Sequence, residues 1–277
     1  MNKLGINLWN WRPILSDDCL GLPEKAASMG FTALELPMTQ PEISDALKKE
    51  IKTSGLAVSL CAALGPGRDI SNFDEAIRSN TREYFKRSLE TGASVGAVIL
   101  AGPLYAGGGK CHKLNASDKK KEWELAVKGL KWLSEEADQY GIRLAIEPLH
   151  RYRTSVVNTV EQAIQMMQDI GSDNLGIHYD TFHACLEEEN LLESLKLALS
   201  TSRVYHFHAC ANNRSGPGEG IVPWGKVFGL LKEYRYENHI TMETFAPGGL
   251  DASWVNVHKA PDIVAENGIK CLKQYFG

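Results

Sequence analysis

The sequence lacks most of the features that would assign it to a class at once. Its six cysteines form no CxxC pair and show no regular spacing. In a chain long enough to build its own core, that points to free thiols in a reducing compartment and not to a disulfide framework. No apolar run approaches the ~18 residues of a membrane span, and the N-terminus has no signal-peptide core. Lysine and arginine number 30 against 34 aspartates and glutamates, a formal net charge of −4, so the electrostatic footprint of a nucleic-acid binder is missing. No glycine fingerprint follows the first strand-like run, as a doubly wound nucleotide-binding sheet would need, and no shift in composition marks a linker. These absences leave a cytoplasmic, enzyme-sized protein with neither membrane nor nucleic acid as a partner.

What is present is alternation. With 277 residues and 43% hydrophobic content, the chain can bury a large core as one domain. Strand-like runs at 4–9, 31–36, 56–63, 95–101, 144–146, 175–180, 204–208 and 240–243 are each followed by a helical pattern. Strands that alternate with helices pair in parallel, and eight such units close into a barrel. The expected architecture is therefore α/β, a single-domain (β/α)8 TIM barrel over residues 1–277. Local signals set its boundaries. Pro37 and Pro148 should stop strands, Ser71-x-x-Asp74 should open one long helix and Ser117 another, and the glycine-rich stretch 102–109 reads as a mobile loop.

The organising stretch is 141–158, whose buried-strand run Leu144–Ile146 ends on Glu147. A carboxylate at the tip of a buried strand is costly without a partner. The pattern recurs: later strand-like runs end on Asp180, His208 and Glu243. In a barrel of this type the C-terminal strand ends form the active face, so these four residues should be neighbours in space. Three carboxylates and one imidazole make a hard, mostly oxygen donor set, suited to one divalent metal. Mn²⁺ leads, with Mg²⁺ or Co²⁺ as alternatives. Taken singly, Asp180 reads equally well as a helix cap, and His208 reads more readily as a hydrogen-bonded core histidine; four such residues on consecutive strands shift the balance. His206, two residues before His208, is expected to support it. Phe182, Tyr152 and Trp224 read as wall or core aromatics, Cys61 as packing near the site, and Asp169, Glu187, Glu188 and Glu189 as solvated helix charges.

The segments Gly30-Phe-Thr-Ala-Leu-Glu35, Gly102-Pro-Leu-Tyr105, Ile146-Glu-Pro-Leu149, Asn158-Thr159, Asp180-Thr-Phe-His183, His208 with Asn213-Arg214, Gly216-Pro-Gly218 and Met242-Glu243 carry a resemblance over nearly the whole chain. It resembles the xylose-isomerase-like sugar isomerases and epimerases, and within them the ketose 3-epimerase (D-tagatose/D-psicose 3-epimerase) family. The resemblance implies an isomerase of carbohydrate metabolism that inverts C3 of a ketose through an enediolate. Glu147, Asp180, His208 and Glu243 would hold the metal, Glu147 and Glu243 would exchange the C3 proton on opposite faces, and His183 and Arg214 would bind substrate oxygens. A homodimer or homotetramer is also implied, with Trp254 and Tyr275 as outer aromatics. The sequence departs from the family pattern at His150, where the family carries Asn, and at Arg153, where it carries a Glu that helps hold the C1 end of the sugar. A basic residue there would suit an acidic or oxidised sugar equally well, with a free ketohexose as the first expectation. Related functions on the same scaffold are an aldose–ketose type isomerase of a sugar or hydroxy-keto compound and an inosose-type dehydratase. An apurinic-site endonuclease would need more histidines at strand ends and a basic groove, and a non-catalytic binding barrel would not need two carboxylates flanking a metal.

Overall fold

The computed structural model describes residues 2–65, 67–246 and 260–277. Its strands are β1 (Lys3–Asn7), β2 (Ala33–Met38), β3 (Ala57–Ala62), β4 (Ala97–Gly102), β5 (Arg143–Ile146), β6 (Leu175–Asp180), β7 (Val204–His208) and β8 (His239–Met242). They pair in parallel in chain order, and β1 closes on β8 in the register Lys3↔His239 to Ile6↔Met242. Around them lie α1 (Leu22–Met29), α2 (Asp45–Thr53), α3 (Glu75–Ser94), α4 (Ala116–Asp138), α5 (Val160–Ile170), α6 (Thr181–Glu187), α7 (Leu191–Ser200), α8 (Trp224–Glu233) and α9 (Pro261–Phe276). The expected (β/α)8 barrel is the observed one.

The period-2 alternation of the strands sorts side chains between two environments. Leu34, Leu36, Val58, Phe207 and Ile240 point outward into the apolar layer beneath the helices and are buried. The inward positions carry Asn7, Glu35, Ser59, His178, His206, His208, His239 and Thr241, all buried as well. Barrel interiors of this type are ordinarily filled by branched apolar residues. Here the centre is a polar network, and it is close-packed. A Cβ on Gly5 would lie 2.6 Å from Thr241 Oγ1, so that layer has room only for glycine.

Several local signals act differently from their sequence reading. β2 runs through Pro37, because pairing with β1 ends at Asn7↔Glu35 and a missing donor beyond that point costs β2 nothing on that edge. α3 is capped by Asp74, which accepts from Ala76 N, while Ser71 turns to Asp69. α4 is capped by Asn115, not Ser117. The stretch 102–109 is anchored: Tyr105 is fully buried and its hydroxyl donates to the Glu147 and Val157 carbonyls at 2.8 and 2.9 Å. Glu122, just after the basic run at 119–121, is buried between Lys110 and Lys119 at 3.0 and 3.1 Å. Tyr275 packs on Phe228 with ring centroids 5.0 Å apart. Trp254 lies outside the described residues.

Candidate active site

Four consecutive strands deliver the expected residues to one rim. The Glu147 amide still donates to the Gly102 carbonyl at 3.0 Å, so β4 holds the chain extended for one residue past β5 before Pro148 ends the ladder. Asp180 closes β6 and also caps α6, accepting from Phe182 N at 2.8 Å. His208 ends β7, and Glu243 stands one residue beyond β8. None is more than 4% exposed. Donor atoms of Asp180, His208 and Glu243 lie within 4.8 Å of one another, and those of Glu147, Asp180 and His183 form a second such group.

Their electrostatics are those of a cation site. Burial first, then the charges of Asp180 and Glu243, push the Glu147 carboxyl well above the usual range. Burial likewise lifts Asp180 to about 6, with Arg214 opposing and Glu243 adding to the rise. Arg214 Nη1 lies 2.8 Å from Glu243 Oε2 and 3.2 Å from Asp180 Oδ2. Its guanidinium is stacked 3.6 Å over Phe182 and 5.0 Å over Phe245. The backbone there is left-handed, φ 62°, a conformation costing a non-glycine residue about 1–3 kcal/mol and typical of functional loops.

The imidazole of His208 is held from within the barrel. Glu35 is fully buried, and its Oε2 accepts from Asn7 Nδ2 at 2.8 Å and lies 2.6 Å from His208 Nε2. Its Oε1 accepts from Ser59 at 3.0 Å and lies 2.6 Å from His206 Nε2. Burial opposes the Glu35 charge, but the two histidines and these hydrogen bonds outweigh it and hold the carboxyl well below the usual range. With Nε2 turned to Glu35, His208 Nδ1 faces Glu243 Oε1 at 3.5 Å and has no hydrogen-bond partner. Burial disfavours a proton there, yet Glu35 and Glu243 draw one in and raise the ring's pKa well above its ordinary value. A metal cation fits the place of that proton, which is the carboxylate–histidine arrangement that orients metal ligands.

His183, on α6, accepts from the His150 amide at Nδ1 over 3.2 Å. Its Nε2 faces Glu147 and Asp180 at 3.8 and 3.7 Å. Burial, then the Arg214 charge, keeps the ring neutral by lowering its pKa well below the ordinary value. Above this floor opens a cavity of about 690 Å³, within the usual range for small-molecule sites. Glu147, His183, Arg214 and Glu243 line it, and Trp9 and Phe245, with centroids 5.2 Å apart, form an apolar wall. Cys61 lines it too, its thiol pushed up by burial and by the nearby carboxylates.

The sequence reading missed part of this. Support for His208 comes from Glu35, and His206 shares that carboxylate instead of propping His208 directly. The available signal was a lone acid in the middle of the buried run Ala33–Met38. His178, fully buried with both ring nitrogens unpartnered, lies 3.7 Å from Glu147 and edge-on to His208 at 4.0 Å. Phe182 is the platform under Arg214. Tyr152 is not a wall residue, being 77% exposed. Glu187 is no free surface charge, for it takes Arg151 in a two-point pair at 2.8 and 3.1 Å.

Comparison with known proteins agrees with this geometry. Residues 23–275 match the xylose isomerase-like TIM barrel family. A D-psicose 3-epimerase of Enterocloster bolteae is 31% identical over 95% of this chain and 90% of its own. Another D-psicose 3-epimerase, of Agrobacterium fabrum, is 29% identical over 82% of this chain and 79% of its own. The crystal structure of a Methylomonas D-allulose 3-epimerase in complex with D-allulose superposes with a TM-score of 0.91, 24% identity, and coverage of 99% and 97%. The chain belongs to the xylose isomerase-like TIM barrel family, among relatives that are ketose 3-epimerases, and is an isomerase-class enzyme.

Proposed function

We propose that the protein inverts C3 of a ketose by removing a proton on one face and returning one on the other. The observation that carries this reading is the pair Glu147 and Glu243, two buried carboxylates on the same cavity floor, three strand positions apart around the rim. A group that must accept and release a proton near neutral pH is best placed where burial lifts its pKa, as at Glu147. Glu147, Asp180, His208 and Glu243 would hold one divalent metal per chain, Mn²⁺ before Mg²⁺ or Co²⁺, and that ion supplies Lewis-acid polarisation of the substrate oxygens. His183, with its proton on Nε2, donates to a substrate oxygen. Arg214, clamped between Phe182 and Phe245, presents a guanidinium to oxygens on which charge develops. Trp9 and Phe245 cover the apolar face of the sugar and displace water from the carbon that loses its proton. The remaining face of the proposal is an assembly into a cytoplasmic homodimer or homotetramer.

Turnover in D₂O tests the chemistry. The proton taken from C3 equilibrates with solvent on the carboxylate, so deuterium is expected at C3 of the product. Deuterium at C1 would assign the aldose–ketose isomerase reaction instead. Turnover with no solvent deuterium at any carbon would remove both glutamates from these roles.

A further inference from the structure

The polar interior beneath the rim holds a second set of metal-ligating side chains. His206 and His208 are two residues apart on β7, so both point into the barrel, and His178 on β6 pairs in register with His206. All three are fully buried. Their rings stand edge-on to one another. The centroids are 4.0 Å apart for His178 and His208, 4.9 Å for His178 and His206, and 5.0 Å for His206 and His208. One ring nitrogen of each lies within 4.8 Å of one from both of the others.

Hydrogen bonding does not account for this cluster. Neither nitrogen of His178 has a hydrogen-bond partner among the described residues, and Glu147 Oε2 stands off at 3.7 Å. His206 and His208 both turn Nε2 to Glu35 at 2.6 Å, and the Nδ1 atom of each has no hydrogen-bond partner. Buried polar atoms are costly to leave unpaired, so several in one place mark the seat of an ion or an ordered water. The donor type decides which ion. Three imidazoles suit Zn²⁺ or Cu²⁺, whereas the carboxylate-rich rim suits Mn²⁺ or Mg²⁺. Nitrogen–metal bonds of about 2.0–2.1 Å require the three rings to rotate toward a common centre. His208 is common to both sets. With Nε2 on Glu35, the nitrogen it can offer is Nδ1, which faces Glu243 on the rim at 3.5 Å. One lone pair cannot serve two cations.

We propose that His178, His206 and His208 form an inner site for a nitrogen-preferring divalent cation, Zn²⁺ or Cu²⁺, and that an ion there excludes the rim cation by taking His208. Such an ion inhibits where Mn²⁺ activates. The inner site stands on its own geometry, and its inhibitory effect rests on the epimerase reading and the rim cation assigned there.

X-ray absorption at the zinc edge, on metal-free protein given one equivalent of Zn²⁺, counts the imidazoles around the ion. Three are expected. A count of one, as the rim set would give, overturns the proposal, and so does failure to bind zinc. Zinc should also release Mn²⁺ from the loaded enzyme, read as the free-manganese signal in electron paramagnetic resonance, and stop its turnover. His178→Leu removes a ligand of the inner site alone. In that variant the zinc concentration that halves its own Mn²⁺-supported turnover should rise at least about 10-fold, since even the outer partners of metal ligands are worth that much. An unmoved concentration would place the inhibiting zinc on the rim and overturn the proposal. Should His178→Leu fail to fold, the imidazole count on the unaltered chain decides. Mn²⁺ retained at one per chain beside a three-imidazole zinc overturns the exclusion. A three-imidazole zinc in a protein that turns over a ketose without Mn²⁺ keeps the inner site and overturns the rim reading.

Discussion

The two halves of the barrel do different work. β5 to β8 carry the rim residues Glu147, Asp180, His208 and Glu243. β1 to β4 and their loops carry none of that set; they contribute Glu35 from inside, and Trp9, Cys61 and Arg68 to the cavity. In the proposed reaction one half would hold the groups that exchange protons and bind a cation, and the other would fix their orientation and shape what may enter. The contrast teaches that the rim is oriented by a contact made across the barrel. His208 on β7 is aimed by a carboxylate on β2, 2.6 Å away.

Attacking the reactive half should give the largest effect. Exhaustive dialysis against a chelator is expected to abolish activity, and Mn²⁺ or Co²⁺ to restore it. Full activity in metal-free protein would show that the rim needs no cation. An attack on the supporting half should be smaller but of the same kind. Glu35→Gln keeps the shape while removing the charge that sets the His208 ring. Metal affinity, measured by titration calorimetry, should drop about 10- to 100-fold, with the circular dichroism of the barrel retained. Unchanged affinity would make Glu35 a packing residue only.

The fold was readable in the sequence because hydrophobic runs and helical periods recur eight times, and the rim residues were readable because each sits where such a run stops. The polar interior was not. Glu35, His178 and His206 lie inside strand runs, where alternation is short and a single polar residue looks like an interruption. Only the closing of β1 on β8 brings Asn7, Glu35, Ser59, His206 and His208 into one network. Caps were misread by two or three residues because Ser71 and Ser117 are equally good cap types, and tertiary partners decided between them and Asp74 or Asn115. Arg214 was legible as a site residue, but its stacking on Phe182 depends on α6, whose start at Asp180 no run of apolar periodicity announces.

A smaller effect distinguishes the halves by pH. Asp180 titrates at about 6 in the folded chain against an ordinary 3.8, and Glu147 is raised in the same direction. Between those values the folded state binds more protons than the unfolded, so stability of the metal-free protein falls as pH rises through that window. A bound cation removes the repulsion. The gain in Tm on adding Mn²⁺ should therefore be larger at pH 7.5 than at pH 5. Glu35, held low by its histidines, contributes stability of the opposite sign, present above the ordinary carboxylate range and lost only on acidification below it. Equal Mn²⁺ gains at both pH values would contradict the charge assignment of the rim.

The central claim is that Glu147 and Glu243 act separately on opposite faces of one carbon. Each is replaced by Gln in turn, the metal content of each variant is measured, and C3 deuterium is followed in D₂O starting from either epimer. Inversion should fall by roughly 10²–10⁴-fold in both, as for loss of a general acid or base. Each variant should still exchange the C3 hydrogen of one epimer, and the favoured epimer should differ between the two. Loss of exchange from both epimers in one metal-replete variant, with full exchange from both in the other, would contradict the account and assign both proton transfers to a single carboxylate.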